Sequence, residues 1–155
     1  MKLYVAAVCH RTPSWVEEGF REYAGRMPRE ARIELVEIKA RRRGGEDLAR
    51  MLDLEAQRID AALPRSAWRV ALDERGAALS SPDLAGKLSA WRETGRDVGL
   101  IIGGSDGLAP RIRESAHFVW SLSPLTLPHG LVRILVAEQL YRAHTILAGH
   151  PYHRD

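Results

Sequence analysis

Five short apolar runs, at residues 3–8, 33–38, 68–72, 98–102 and 118–122, alternate along the chain with stretches of helical periodicity. That alternation predicts crossover units and an α/β fold, a mainly parallel sheet flanked by helices. Several runs are continuously apolar, as strands covered on both faces are. The first helix is expected to open at Ser14, with Ser14 and Glu17 at capping-box spacing behind Pro13, and to carry Trp15, Phe20 and Tyr23. A second, over 47–63, turns Leu48, Leu52, Ile59 and Leu63 to one face. Ser81 and Pro82 supply a cap and first position for a third, in which Leu84, Leu88 and Trp91 recur until Gly95. The last helix, over 131–147, is apolar around nearly its whole circumference, from Leu131, Val132 and Leu135 to Leu140, Ile146 and Leu147. Such a helix needs burial on more than one side. In a short chain this points to a subunit interface as readily as to the core, so a homodimer is expected.

At 155 residues, with 45% hydrophobic and 28% charged positions, the chain has the dimensions of one domain spanning 1–155. No repeat, linker or low-complexity segment divides it. The formal charge of +3 is small, with 15 basic and 13 acidic side chains in residues 1–77 and 8 and 7 in the remainder. Contact with a nucleic acid must then come from local clusters rather than from a charged arm. The lone Cys9 suits a reducing compartment, the cytoplasm, and matches no metal-ligand spacing, so no metal is expected. No run approaches the ~18 apolar residues of a membrane span.

Four segments offer chemistry. Gly103-Gly104-Ser105-Asp106-Gly107 follows the fourth apolar run and is either a tight strand-to-helix turn or a place where a ligand meets the backbone. The first strand, in contrast, leads into Cys9-His10-Arg11-Thr12-Pro13, without the glycines that a dinucleotide fingerprint or phosphate loop requires. The apolar loop Leu122-Ser123-Pro124-Leu125-Thr126-Leu127-Pro128-His129-Gly130 is a buried crossover or a pocket wall. The tail His150-Pro151-Tyr152-His153-Arg154-Asp155 gathers an aromatic ring, two imidazoles and a guanidinium, equipment for stacking, proton movement and holding an anionic oxygen. Lys39-Ala40-Arg41-Arg42-Arg43 is a solvated basic loop or a phosphate contact.

Taken together, LIIGGSDGL, WSLSPLTLPHGLVRILVAEQLYRA and the closing HPYHRD, with the opening MKLYVAAV, closely resemble the SPOUT-class methyltransferases of the H-type large-subunit family, which methylate N3 of a pseudouridine in 23S ribosomal RNA. The resemblance spans nearly the whole chain. It implies a SPOUT fold with a C-terminal deep trefoil knot, S-adenosyl-L-methionine as cofactor, a homodimer, and 23S rRNA within the large subunit or assembled ribosome as partner. Carried over by motif, Leu72, Gly103, Leu122, Ser123, Pro124, Leu125, Thr126 and Leu127 correspond to cofactor-contacting positions, although Pro124 lacks an amide donor. Arg154, His153 and Tyr152 correspond to the catalytic tail, acting on the partner's cofactor, and Arg41, Arg42, Arg43 and Arg142 are expected to hold RNA phosphates. Glu138, alone among apolar neighbours, either orients an arginine or faces solvent. Competing readings are a non-catalytic ribosome-binding dimer, a different SPOUT activity on tRNA, and a small flavin or nucleotide module.

Overall fold

The computed structural model describes residues 1–41 and 47–154. Arg42 and Arg43 of the expected phosphate-binding loop therefore lie outside the described residues. Five strands, β1 (Leu3–Cys9), β2 (Ile33–Lys39), β3 (Trp68–Ala78), β4 (Val98–Ile102) and β5 (Phe118–Ser121), form one sheet in the order β2-β1-β4-β3-β5. Every pairing is parallel. The helices are α1 (Ser14–Ala24), α2 (Leu48–Ala62), α3 (Ser81–Glu93), α4 (Pro110–Ser115) and α5 (His129–Ala148).

Period-two alternation sorts each strand's side chains between two cores. Leu3, Val5, Val98, Leu100 and Ile102 face a larger core shared with Leu84 and Leu88 of α3 and Val136 and Leu140 of α5. Ala6, Val8 and Ile101 face a smaller one under Ile59 of α2 and Ile112 of α4. Truncating a fully buried leucine here, such as Leu100, to Ala is of the kind that costs about 2–5 kcal/mol. Helix α5 packs on both α1 and α3. At Gly19 an added Cβ would come within 2.7 Å of Ile134 Cδ1, so a glycine lets α1 and α5 approach.

Several element ends and caps differ from the sequence expectation. Strand β3 runs on to Ala78 because its backbone resumes pairing with β5 at Ala77 after an irregularity that begins at Leu72. Side-chain polarity at Asp73-Glu74-Arg75 hid this continuation, since those residues leave the ladder. The cap of α3 is Ser80, not Ser81. Ser80 Oγ accepts from the Asp83 amide at 3.1 Å and Asp83 Oδ2 accepts from the Ser80 amide at 3.2 Å, a reciprocal box. At α1 the Ser14 box does not form, and the Pro13 carbonyl accepts from the Val16 amide instead. The short α4, with Pro110 in its first turn, escaped periodicity because six residues hold too few apolar positions to set a pattern. Gly149 does end α5 in the left-handed conformation, at φ 68°.

Two histidines are structural. His117 stacks on Trp68 with ring centroids 4.2 Å apart, and its Nδ1 accepts from the Arg69 amide at 2.9 Å. His144 Nδ1 lies 3.1 Å from Arg92 Nη2. Partial burial first, and then the neighbouring arginines, hold both below the ordinary 6.5. A base whose folded pKa is depressed contributes stability above its unfolded pKa and loses it as the pH falls through the folded one. The thermal midpoint is therefore expected to fall as the pH is lowered below about 6.5, with a shallower slope in His144→Gln, measured by melting across a pH series.

Candidate functional site

At the carboxyl ends of β3, β4 and β5 lies a cleft of about 750 Å³, within the range of small-molecule sites. Its floor is apolar, with Leu72 from β3, Ile102 from β4, Trp120 from β5 and Val132 from α5. One wall is the glycine loop. An added Cβ at Gly103 would sit 2.6 Å from the Gly107 carbonyl carbon, and Gly107 itself holds φ 79° with its amide donating to the Gly104 oxygen at 3.0 Å. The loop is thus a tight turn that lines the cleft.

The opposite wall is the loop from 122 to 128. Ser123 Oγ accepts from the Leu125 amide at 3.0 Å, Ser121 Oγ donates to the Ser123 oxygen at 3.1 Å, and Thr126 Oγ1 donates to Glu74 Oε2 at 3.0 Å. The first two brace the loop internally, and the third ties it to the irregular segment of β3. Of the residues carried over by motif, Leu72, Gly103, Leu122, Ser123, Leu125, Thr126 and Leu127 line the cleft. Pro124, exposed, is absent from its lining.

The sequence reading missed the polar rim supplied by Asp73, Glu74, Arg75 and Arg113. Partial burial raises the Asp73 pKa, but hydrogen bonds from the Arg75 side chain and amide and the charges of Arg75 and Arg113 outweigh it, so the carboxylate is held below its ordinary range. Arg75 Nε is 3.1 Å and Arg113 Nε 3.5 Å from this carboxylate. The signal was present as a charged run straight after the third apolar stretch, at a strand's carboxyl end. An apolar floor for a heterocycle beside a rim of two carboxylates and two guanidiniums suits a ligand that is part flat ring and part charged group.

The tail stands elsewhere. Tyr152 Oη donates to Glu138 Oε1 at 3.0 Å, its ring meets Tyr141 edge-on at 4.7 Å, and the Arg142 guanidinium lies over it at 4.9 Å. Arg142 also pairs with Glu138 at 2.8 Å. Glu138 therefore orients an arginine, the first of its two sequence alternatives, and Arg142 is engaged in tail geometry. Burial and then Glu138 raise the Tyr152 pKa, keeping the phenol neutral. His153 Nδ1 is buried with no hydrogen-bond partner among the described residues, and Arg154 adopts φ 32°, a strained backbone for a residue with a side chain. Glu138 is nine residues beyond His129 at the cleft, about 14 Å along the helix. None of Tyr152, His153 and Arg154 lines the cleft of its own chain.

Among the described residues no group of three or more His, Cys, Asp or Glu side chains is arranged to hold a metal ion, and no helix is long and apolar enough to cross a membrane.

Comparison with known proteins adds the family. The profile described as a predicted SPOUT methyltransferase matches residues 1–153. The chain is 56% identical over 155 residues to a Ralstonia nicotianae protein named ribosomal RNA large subunit methyltransferase H, and 54% identical to the protein of that name from Burkholderia mallei, covering 99% of this chain and of each relative. Its fold matches a probable methylase family protein from Haemophilus influenzae, with a TM-score of 0.61 at 12% identity over 97% of this chain and 69% of that one. It also matches a putative methylase from Neisseria gonorrhoeae, at 0.58 and 14% over 90% and 81%. With a parallel sheet of this order, a cleft walled by the expected loops and a profile match over almost its whole length, the chain belongs to the SPOUT methyltransferase family.

Proposed function

We propose that the protein transfers a methyl group from S-adenosyl-L-methionine to N3 of a pseudouridine in 23S ribosomal RNA, as a homodimer in the cytoplasm acting on the large subunit or assembled ribosome. The observation that carries the reading is the full-length similarity to ribosomal RNA large subunit methyltransferase H proteins, with the glycine loop and the 122–128 loop of this chain meeting at one cleft. That cleft fits the cofactor: Leu72, Trp120 and Leu127 would offer apolar surface to its adenine, and the mixed-charge rim of Asp73, Glu74, Arg75 and Arg113 would meet its charged amino-acid end. The bound cofactor supplies an electrophilic methyl on a sulfonium. The deep trefoil knot belongs to the same reading. Its support is a chain that passes from β4 to β5 beyond β3 and returns in α5 to pack on β1 and β4.

N3 of a uracil-type ring is a poor nucleophile while protonated, so the site must accept that proton and stabilise the charge left on the flanking carbonyl oxygens. Arg154 takes the second role and His153, with a free buried nitrogen, accepts the proton or orients the ring. The proton lost from N3 would pass to His153 or to solvent, and a bound cofactor would supply the methyl that replaces it. Tyr152, anchored by Glu138 and Arg142, holds these two in place rather than stacking on the base. Because the tail lies on α5 away from its own cleft, a second copy completes the site. Trp15 on α1 and Leu135 on α5, 54% and 39% exposed on helices packed together, offer apolar surface for that copy.

The test uses ribosomes from cells lacking the gene and mass spectrometry of their 23S rRNA after incubation with the protein and cofactor. Gain of one methyl on a pseudouridine is expected. Mixing Arg154→Ala with a cofactor-binding variant such as Gly103→Val, each inactive alone, is expected to restore activity, since mixed dimers contain one intact composite site. No restoration would remove the partner from the site.

A further inference from the structure

A second cavity, of about 590 Å³, opens beside the cofactor cleft and shares with it the loop 104–106 and His129. It lies at the carboxyl ends of β1 and β4, adjacent strands from which the chain departs in opposite directions, toward β2 and toward β5. In open α/β sheets that crevice is where ligands bind. The glycine-free turn His10-Arg11 and the end of β2 at Arg41 form its rim.

This rim is built to stay in place. Arg133, only 1% exposed, reaches from α5 beneath the turn, its Nη1 3.4 Å from Thr12 Oγ1 and 3.4 Å from Glu37 Oε1. Glu55, 7% exposed at the base, accepts from the Arg41 amide at 2.8 Å, and the Ala40 amide donates to the Cys9 carbonyl at 3.0 Å. Two buried charged groups thus fix the backbone from which Arg11 and Arg41 extend.

We propose that this cavity receives the acceptor nucleotide of RNA, its ring against the wall shared with the cofactor cleft and its phosphate at Arg11 and Arg41; the inference rests on the methyltransferase reading above and deepens it. A base undergoing chemistry must leave its stack and enter a pocket, and this cavity adjoins the methyl donor's wall through the shared loop 104–106 and His129. Without glycines the β1 turn offers no nest of amides to a terminal phosphate. Cationic side chains at a rim suit instead the single charge of a chain-linked phosphate.

The test titrates isotopically labelled protein, saturated with S-adenosylhomocysteine, with uridine 5′-monophosphate. The largest amide shifts are expected at His10, Arg11, Ser105 and His129, and shifts that are absent or centred elsewhere overturn the assignment. In parallel, Arg11→Ala is expected to keep cofactor affinity and melting temperature, raise KM for ribosomes about tenfold and lower the salt slope of RNA binding by about one, with Arg11→Lys restoring the slope. An unchanged KM and slope in Arg11→Ala also overturn it. Failure of the wild type to methylate rRNA sinks the proposed function, while the nucleotide map still decides the cavity.

Discussion

Arg154→Ala is expected to lower methyl transfer by about 10²–10³-fold, the loss seen when one donor to a developing oxyanion is removed, with S-adenosylhomocysteine affinity unchanged. The two effects separate because Arg154 is remote from the cleft of its own chain. Single-turnover transfer on ribosomes and calorimetry with S-adenosylhomocysteine check them. Arg154→Lys keeps the charge but loses the planar fork, so partial recovery is expected. The φ of 32° at Arg154 shows a side chain held where glycine would be easier. A fully active Ala variant would take the tail out of the mechanism.

The other large effect is expected at Gly103→Ala. The new methyl would meet the Gly107 carbonyl carbon at 2.6 Å and its oxygen at 2.7 Å, both backbone atoms that cannot swing aside. Overpacking of this kind costs about 1–3 kcal/mol. Since the displaced segment is a cleft wall, the cost falls on cofactor affinity, a weakening of about 10–100-fold by calorimetry. Gly86→Ala is the control: its Cβ would meet nothing within 4 Å on α3, so unchanged affinity and unchanged or slightly raised stability are expected. Equal affinity in Gly103→Ala and wild type would show that the loop does not wall the cofactor site.

The strands were legible because apolar runs buried on both faces are hard to mistake for anything else, and all five begin where their runs begin. The continuation of β3 past Asp73 was not, since backbone pairing with β5 leaves no trace in side-chain polarity. Likewise Ser80 rather than Ser81 caps α3, a choice that depends on which hydroxyl meets the Asp83 amide. The residues around Gly103 and Leu122 that the motifs singled out do line one cleft, but its charged rim at Asp73, Glu74 and Arg75 was not legible, because a charged run reads as solvated until a neighbouring loop closes over it.

The sequence by itself determined the succession of five strands, four of the five helices and the family, since periodicity and contiguous motifs are local properties of the chain. Only the tertiary structure decided which loops face each other, that Glu138 and Arg142 hold Tyr152, and that a buried Arg133 braces the glycine-free turn of β1. Those are contacts between residues up to 121 positions apart, and the free energy of bringing such groups together is set by the packing of the whole sheet and its helices rather than by any segment's own preference.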